Sequence, residues 1–227
     1  PWFNERLAKQ FSEYDPAKSN GLLDGLGYDK KDGDGFRLTA DGQKIFFSID
    51  VIPTLSPDLV DTLELIKKHW AAIGVDLKVN AIERTLYYSR GDANDQDAAV
   101  WLAASGPDIM FDPRDYVATH PQGSRYALPW AQWYVSNGKN GEEPPESQKQ
   151  RMKLFDEARA AADPEQQRVA MSQVLEMSAD AFEWIGVCLA VNTYGMCKND
   201  LYNVPDAEPS SWTYPNPGPA LPQSFTF

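Results

Sequence analysis

From Ile45 to Ile52 apolar residues stand at alternate positions, with Ile45, Phe47, Ile49 and Val51 on one side of the chain, and this period of two predicts a β-strand. Asp32-Gly33-Asp34-Gly35 and Asp41-Gly42 ahead of it predict turns. The period then changes. Leu59, Leu63, Ile66, Trp70 and Ile73 recur at intervals of four and three, forming one stripe along a helix from Pro57 to Ile73. Ser56 precedes that helix as N-cap, and Gly74 follows it as a residue that can take the left-handed conformation in which helices end. Val75, Leu77, Val79 and Ala81 return to alternation, and Glu83 to Arg90 predicts a short helix. After a polar loop from Gly91 to Asp97, the nearly all-apolar run Ala98 to Ala104 predicts a strand buried on both faces. Strands that alternate with helices imply an α/β fold, a parallel or mixed sheet flanked by helices. In such folds ligands gather where loops leave the carboxyl ends of the strands.

The second half of the chain reads differently. Phe111 to Pro145 is broken by prolines and dense in aromatics without a clear period, which predicts a long, packed, irregular excursion, and loops of that length are often functional. Helical spacing resumes from Ser147 to Ala162. Asp163, Pro164 and Glu165 then supply an N-cap, a first-turn proline and an acid that complements the helix dipole, for a second helix through Phe182. Trp184 to Val191 predicts a last strand, and the prolines beyond Asn203 exclude a continuing helix or a central strand.

Composition narrows the function classes. The 227 residues are 42% hydrophobic, enough for a sizeable core, and no run of about 18 apolar residues is present to span a bilayer. The 33 acidic against 21 basic side chains give a formal charge of -12, which repels phosphate backbones and argues against a nucleic-acid partner. Cys188 and Cys197 fit neither a zinc signature nor a redox pair; a loop-closing disulfide between them would suit an exported compartment, and spacing alone leaves it open. His69 and His120 lack metal-ligand spacing, and the Asp- and Gly-rich stretch Asp29 to Asp41 puts Lys30 where a calcium loop needs its leading carboxylate, so a turn is expected there. No catalytic constellation and no cofactor motif emerges. Asp108 and Asp112 are a carboxylate pair of the kind glycoside hydrolysis uses, but nothing places them across a bond.

One run carries more specific information. Tyr14-Asp15-Pro16-Ala17-Lys18, followed by Leu22, Leu23, Gly27 and Tyr28, resembles Tyr-Asp-Pro-x-Lys-Ala-x-x-Leu-Leu-x-x-Ala-Gly-Tyr of the peptide-type (family 5) extracellular solute-binding proteins of ABC importers, with Asn20 and Gly21 departing in the middle. Trp101, Asp112, Pro113 and Tyr116 resemble that family's later Trp-x(n)-Asp-Pro-x-x-aromatic pattern. The resemblance implies a periplasmic or extracellular protein whose lobe binds a small peptide or an oligosaccharide and presents it to an ABC permease in the membrane, without catalysis. It also implies that this chain is a C-terminal portion, with residues 1–44 a lead-in of helices and turn, 45–204 the α/β ligand-binding lobe, and 205–227 a proline-rich tail returning toward a first lobe.

The same resemblance, joined to side-chain chemistry, selects the candidate ligand contacts. Trp101 can stack on a sugar ring or pack against a peptide side chain. Ser105, Asp108, Asp112 and Arg114 follow it on the strand's exit loop, and Tyr126, Trp130 and Trp133, with Tyr134, offer further aromatic faces. Peptide-binding relatives carry an acidic residue three positions after the matching Trp, which pairs with the ligand's α-amino group; here that position is Ala104. Either Asp108 substitutes or the ligand lacks a free amino terminus, as an oligosaccharide does. Plain core packing of the aromatics and a module for extended chains are the rival readings.

Overall fold

The computed structural model describes residues 2–102, 109–187, 194–208 and 220–226, which fall into two compact units: 11–102, and 1–10 together with 103–227. In the first, Asp15 caps a helix, α2 (Pro16–Gly25), by accepting from the backbone N–H of Lys18 at 2.8 Å, with Pro16 at its start. The Tyr-Asp-Pro run is thus a helix-start signal, the cap satisfying a donor that the first turn leaves unpaired. Turns follow, and Asp32 Oδ1 accepts from the N–H groups of Asp34 and Phe36, so the acidic Gly-rich stretch is held by its own backbone. Among the described residues no group of three or more His, Cys, Asp or Glu is placed to hold a metal.

Strand β1 (Phe46–Val51) lies at the centre of a three-stranded parallel sheet, between β2 (Asp76–Ala81) and the two-residue β3 (Ala98–Ala99). The sheet is parallel in its described strands, and β3 is much shorter than the all-apolar run suggests: Val100 adds one further bond to Asp50 O, and Ala103 and Ala104 lie outside the described residues. Helix α3 (Leu59–Ala72) covers one face with Leu63, fully buried against Ile49, Val51 and Leu77, while Leu59, Ile66 and Trp70 pack around them. Its N-cap is Asp58 rather than Ser56, and it makes no side-chain cap. Gly74 ends the helix at φ +84°, where a Cβ would stand 2.7 Å from Arg37 Cγ. Buried Arg37 donates to Ile73 O, Asp24, Asn20 and Tyr28 O, tying α2 to the end of α3.

Helix α4 (Arg84–Asp92) starts on the side chain of Glu83 and buries Tyr87. It also supplies Arg90 to Asp50, a carboxylate 1% exposed in the central strand that accepts from Asn80 at 2.7 Å, Arg90 at 2.8 Å and Gln96 at 2.9 Å. Burial by itself would raise the Asp50 pKa, yet these donors outweigh it and hold the carboxyl below its ordinary value.

The other unit is mainly helical. α1 (Glu5–Lys9) lies on α7 (Pro164–Ala181) through Asn4 to Glu176 and Gln10 to Ala179 O. α6 (Glu146–Ala160) and α7 form a helical hairpin, with Asp163 and Pro164 capping α7 as their types require. The aromatic stretch from Phe111 to Pro145 is packed and largely irregular, as expected, but part of it is helical. It contains a 3-10 turn (Arg125–Ala127) and a helix, α5 (Leu128–Val135), and its Val117, Ala118, Ala127 and Ala131 join Met152, Phe155, Met171 and Val174 in the core. Its short helix has a proline in the first turn, Pro129, and too few turns for a period to emerge. Trp184 to Val187 form no strand, and Cys188 to Val191 lie outside the described residues. Cys197 is exposed and makes no disulfide, and Cys188 is likewise not described. No helix among the described residues is long and apolar enough to cross a membrane.

Candidate functional site

Trp101 stands two residues after β3, at the carboxyl edge of the parallel sheet, and is half-buried. Two tyrosines of α4 hold it. Tyr87 lies at 5.7 Å between ring centroids with planes 30° apart, and Tyr88 at 5.9 Å and 55°. Tyr87, wholly buried, donates its hydroxyl to Val100 O at 3.0 Å, which fixes the backbone that carries the indole. Offset and tilted aromatic pairs at these separations are favourable beyond the area they bury. The indole is therefore set in one orientation by a rigid helix. Sequence reasoning assigns no role to Tyr87 and Tyr88: their adjacency on a predicted helix is visible there, but not their aim.

Ser105 and Asp108, with Ala104, lie outside the described residues. The remaining candidates belong to the helical unit. Asp112 is buried and pairs through Oδ1 with Arg114 Nε, while its Oδ2 is buried without a partner. Ser124, fully buried, donates to Arg114 O at 2.9 Å and so braces the Asp-Pro-Arg turn. A cavity of about 340 Å³ opens beside this pair, walled by Phe111, His120, Tyr134 and Arg159. Asp112 and Arg114 already answer each other's charge.

Trp130 and Trp133 are half-buried against the helical core, so both anchor α5. Tyr126 faces Trp184 edge to face at 6.0 Å. Burial, then the charge of Glu183, pushes the Tyr126 phenol well above its ordinary pKa. Beside it runs a polar cluster that the sequence reading missed. Arg151, 1% exposed, holds Glu183 through both terminal nitrogens at 2.7 and 2.8 Å and donates to Tyr116 O at 3.0 Å. Gln148 is buried one turn earlier on α6. The signal was present: Gln148, Arg151, Met152, Phe155 and Ala158 share one helical stripe, so a Gln and an Arg occupy positions that periodicity assigns to the core.

Residues 1–127 match the family described as bacterial extracellular solute-binding proteins, family 5 Middle. A search of curated proteins finds no match. Among solved structures, an oligopeptide-binding protein, OppA, superposes with a TM-score of 0.72 at 27% identity, over 81% of this chain and 30% of that one. The periplasmic binding protein MelB of Agrobacterium fabrum, in complex with stachyose, superposes at 0.61 with 14% identity, over 76% and 25%. A periplasmic oligopeptide-binding protein of Thermotoga maritima with mannohexaose bound gives 0.55 and 14%, over 79% and 31%. The last two show likeness of fold alone. The chain spans about a third or less of the length of each of these structures.

Proposed function

Since the chain belongs to the family 5 bacterial extracellular solute-binding proteins, we propose that it is a ligand-binding part of a protein that takes up a peptide or an oligosaccharide outside the cytoplasm and delivers it to an ABC permease. Binding, not turnover, is the activity. The observation that carries this reading is the clamped Trp101: a half-buried indole held by Tyr87 and Tyr88 at the carboxyl edge of a parallel sheet, where such folds take their ligands. Its face suits a sugar ring or an apolar side chain equally. Ser105, Asp108, Asp112, Arg114, Tyr126, Trp130 and Trp133 remain proposed contacts. In a protein that closes two lobes on its ligand, contacts to each favour the closed state, so this chain holds part of the affinity.

The family resemblance puts Ala104 where peptide-binding relatives carry the carboxylate that pairs with an ammonium group, so the chain either takes an oligosaccharide or holds a peptide through Asp108. Asp108→Asn distinguishes the two. If peptides bind through Asp108, calorimetry with a peptide set shows a loss of about 2–5 kcal/mol, the cost of breaking a desolvated charge pair. If oligosaccharides bind at Trp101, Asp108→Asn leaves their affinity nearly unchanged. Peptide binding that needs a free amino terminus and survives Asp108→Asn contradicts both arms.

A further inference from the structure

Arg151 Nε, both amide atoms of Gln148, the Tyr126 hydroxyl and the Trp184 indole N–H are all buried without a hydrogen-bond partner. They belong to one neighbourhood. Arg151 and Gln148 are a turn apart on α6, Arg151 grips Glu183, the next residue is Trp184, and the Trp184 ring meets Tyr126. Gln148 lies close enough to temper the Tyr126 phenol, although no atom pair between them reaches hydrogen-bond geometry. A buried polar atom left unpaired is costly, and so many in one place is uncommon in a folded chain.

The chemistry of the set defines what completes it. Its charge is already balanced, since Glu183 answers Arg151 in a two-pronged pair, so an ion gains nothing there. What is left is four kinds of donor, from guanidinium, indole, amide and phenol, and two acceptors, the Gln148 oxygen and the phenol oxygen. Groups that donate and accept at the same atom fit this mixture, and hydroxyls on neighbouring carbons fit the planar amide and guanidinium edges. Gln148 and Arg151 are fully buried on α6, while Tyr126 and Trp184 are half-buried and so the more accessible members of the set.

We propose that Tyr126, Gln148, Arg151 and Trp184 form a binding site for a neutral polyhydroxylated ligand, a sugar unit whose hydroxyls complete these unpaired groups. This rests on the solute-binding reading and narrows its ligand class to carbohydrate. The test uses the 227-residue chain labelled with nitrogen-15, stachyose as the probe, and the indole N–H signals, with Trp184→Phe and Trp101→Phe identifying two of them. Stachyose should move the Trp184 signal saturably, and Gln148→Leu should weaken binding at least tenfold without lowering the melting temperature. Tyr126→Phe, which removes a single oxygen, should weaken it severalfold and serves if Gln148→Leu does not fold. A Trp101 signal that shifts with stachyose while Trp184 stays still overturns this site and leaves the solute-binding reading standing. Unchanged sugar affinity in folded Gln148→Leu or Tyr126→Phe overturns it as well. A chain that answers peptides at Trp101 but no sugar at either indole refutes the carbohydrate assignment alone.

Discussion

Replacing Asp50 by Asn keeps the shape of a side chain in the middle of the central strand and removes its charge. Oδ1 accepts from Asn80 Nδ2, and Oδ2 accepts from both Arg90 Nε and Gln96 Nε2. Whichever way the new amide is turned, its NH2 group faces at least one donor, so either Asn80 or the Arg90 and Gln96 pair loses its acceptor. Leaving a fully buried charge unpaired costs about 3–5 kcal/mol. The Arg90 side chain is 29% exposed and keeps Asp95, so water recovers part of that loss. The expected destabilisation is therefore about 1.5–3 kcal/mol, the range for a hydrogen bond to a charged group. Urea unfolding followed by tryptophan fluorescence reads it, since Trp70 and Trp101 both sit in this unit. The pH dependence adds a second check. Because the folded Asp50 carboxyl lies below its ordinary value of about 3.9, its stabilisation is fully present above that pH and is lost as pH falls through the folded value. The gap between wild type and Asp50→Asn should hold from neutral pH to about pH 4 and close below it. A difference under about 0.5 kcal/mol, typical of surface substitutions, or a gap that persists unchanged in acid, refutes the reasoning.

Further outcomes follow from the packing. Leu63→Ala should destabilise the sheet unit by about 2–5 kcal/mol in urea melts, since Leu63 is 3% exposed beneath β1 and β2; a change within error would mean that another face of α3 meets the sheet. Gly74→Ala should cost more than about 1 kcal/mol, because it combines a positive φ with a Cβ driven into Arg37, and a neutral result in thermal melts would sink that account. Burial, then the 2.6 Å bond to Asp156, pushes Tyr134 up to about 12. Its contribution to stability is full below the ordinary phenol value of about 10 and is lost as pH rises to the folded value, so an ultraviolet phenolate titration should lack one late component in Tyr134→Phe. Titration of Tyr134 with the ordinary tyrosines would contradict the burial.

How much of this was legible follows from period and reach. The stripe Leu59, Leu63, Ile66, Trp70 and the alternation in β1 and β2 were plain because each of those elements has one apolar side, and Gly74 and Asp163-Pro164 marked ends by backbone chemistry alone. α5 was hidden because eight residues, nearly all apolar or aromatic, show no polar face against which to measure a period. β3 was overextended for the opposite reason: a run of Ala and Val satisfies any burial, and only the partner strand decides how much of it pairs. Trp101 could be singled out from its place after a strand, but Tyr87 and Tyr88 act on it across a helix turn and a crossover, which spacing does not encode. The Gln148 and Arg151 cluster was readable as polar residues in an apolar stripe, while its partners Tyr126 and Trp184 come from distant segments.

The central claim, that the chain binds its ligand against the indole clamped at the edge of the sheet, is tested most directly by calorimetry. The chain and its Trp101→Ala variant are titrated with an oligosaccharide set containing stachyose and with a set of short peptides. The expected result is saturable binding of at least one class to the wild-type chain and a loss of more than about 1 kcal/mol in the variant, as for truncation of an aromatic anchor in a binding surface, with unfolding curves that show the variant still folded. Binding of equal strength in folded Trp101→Ala would contradict it.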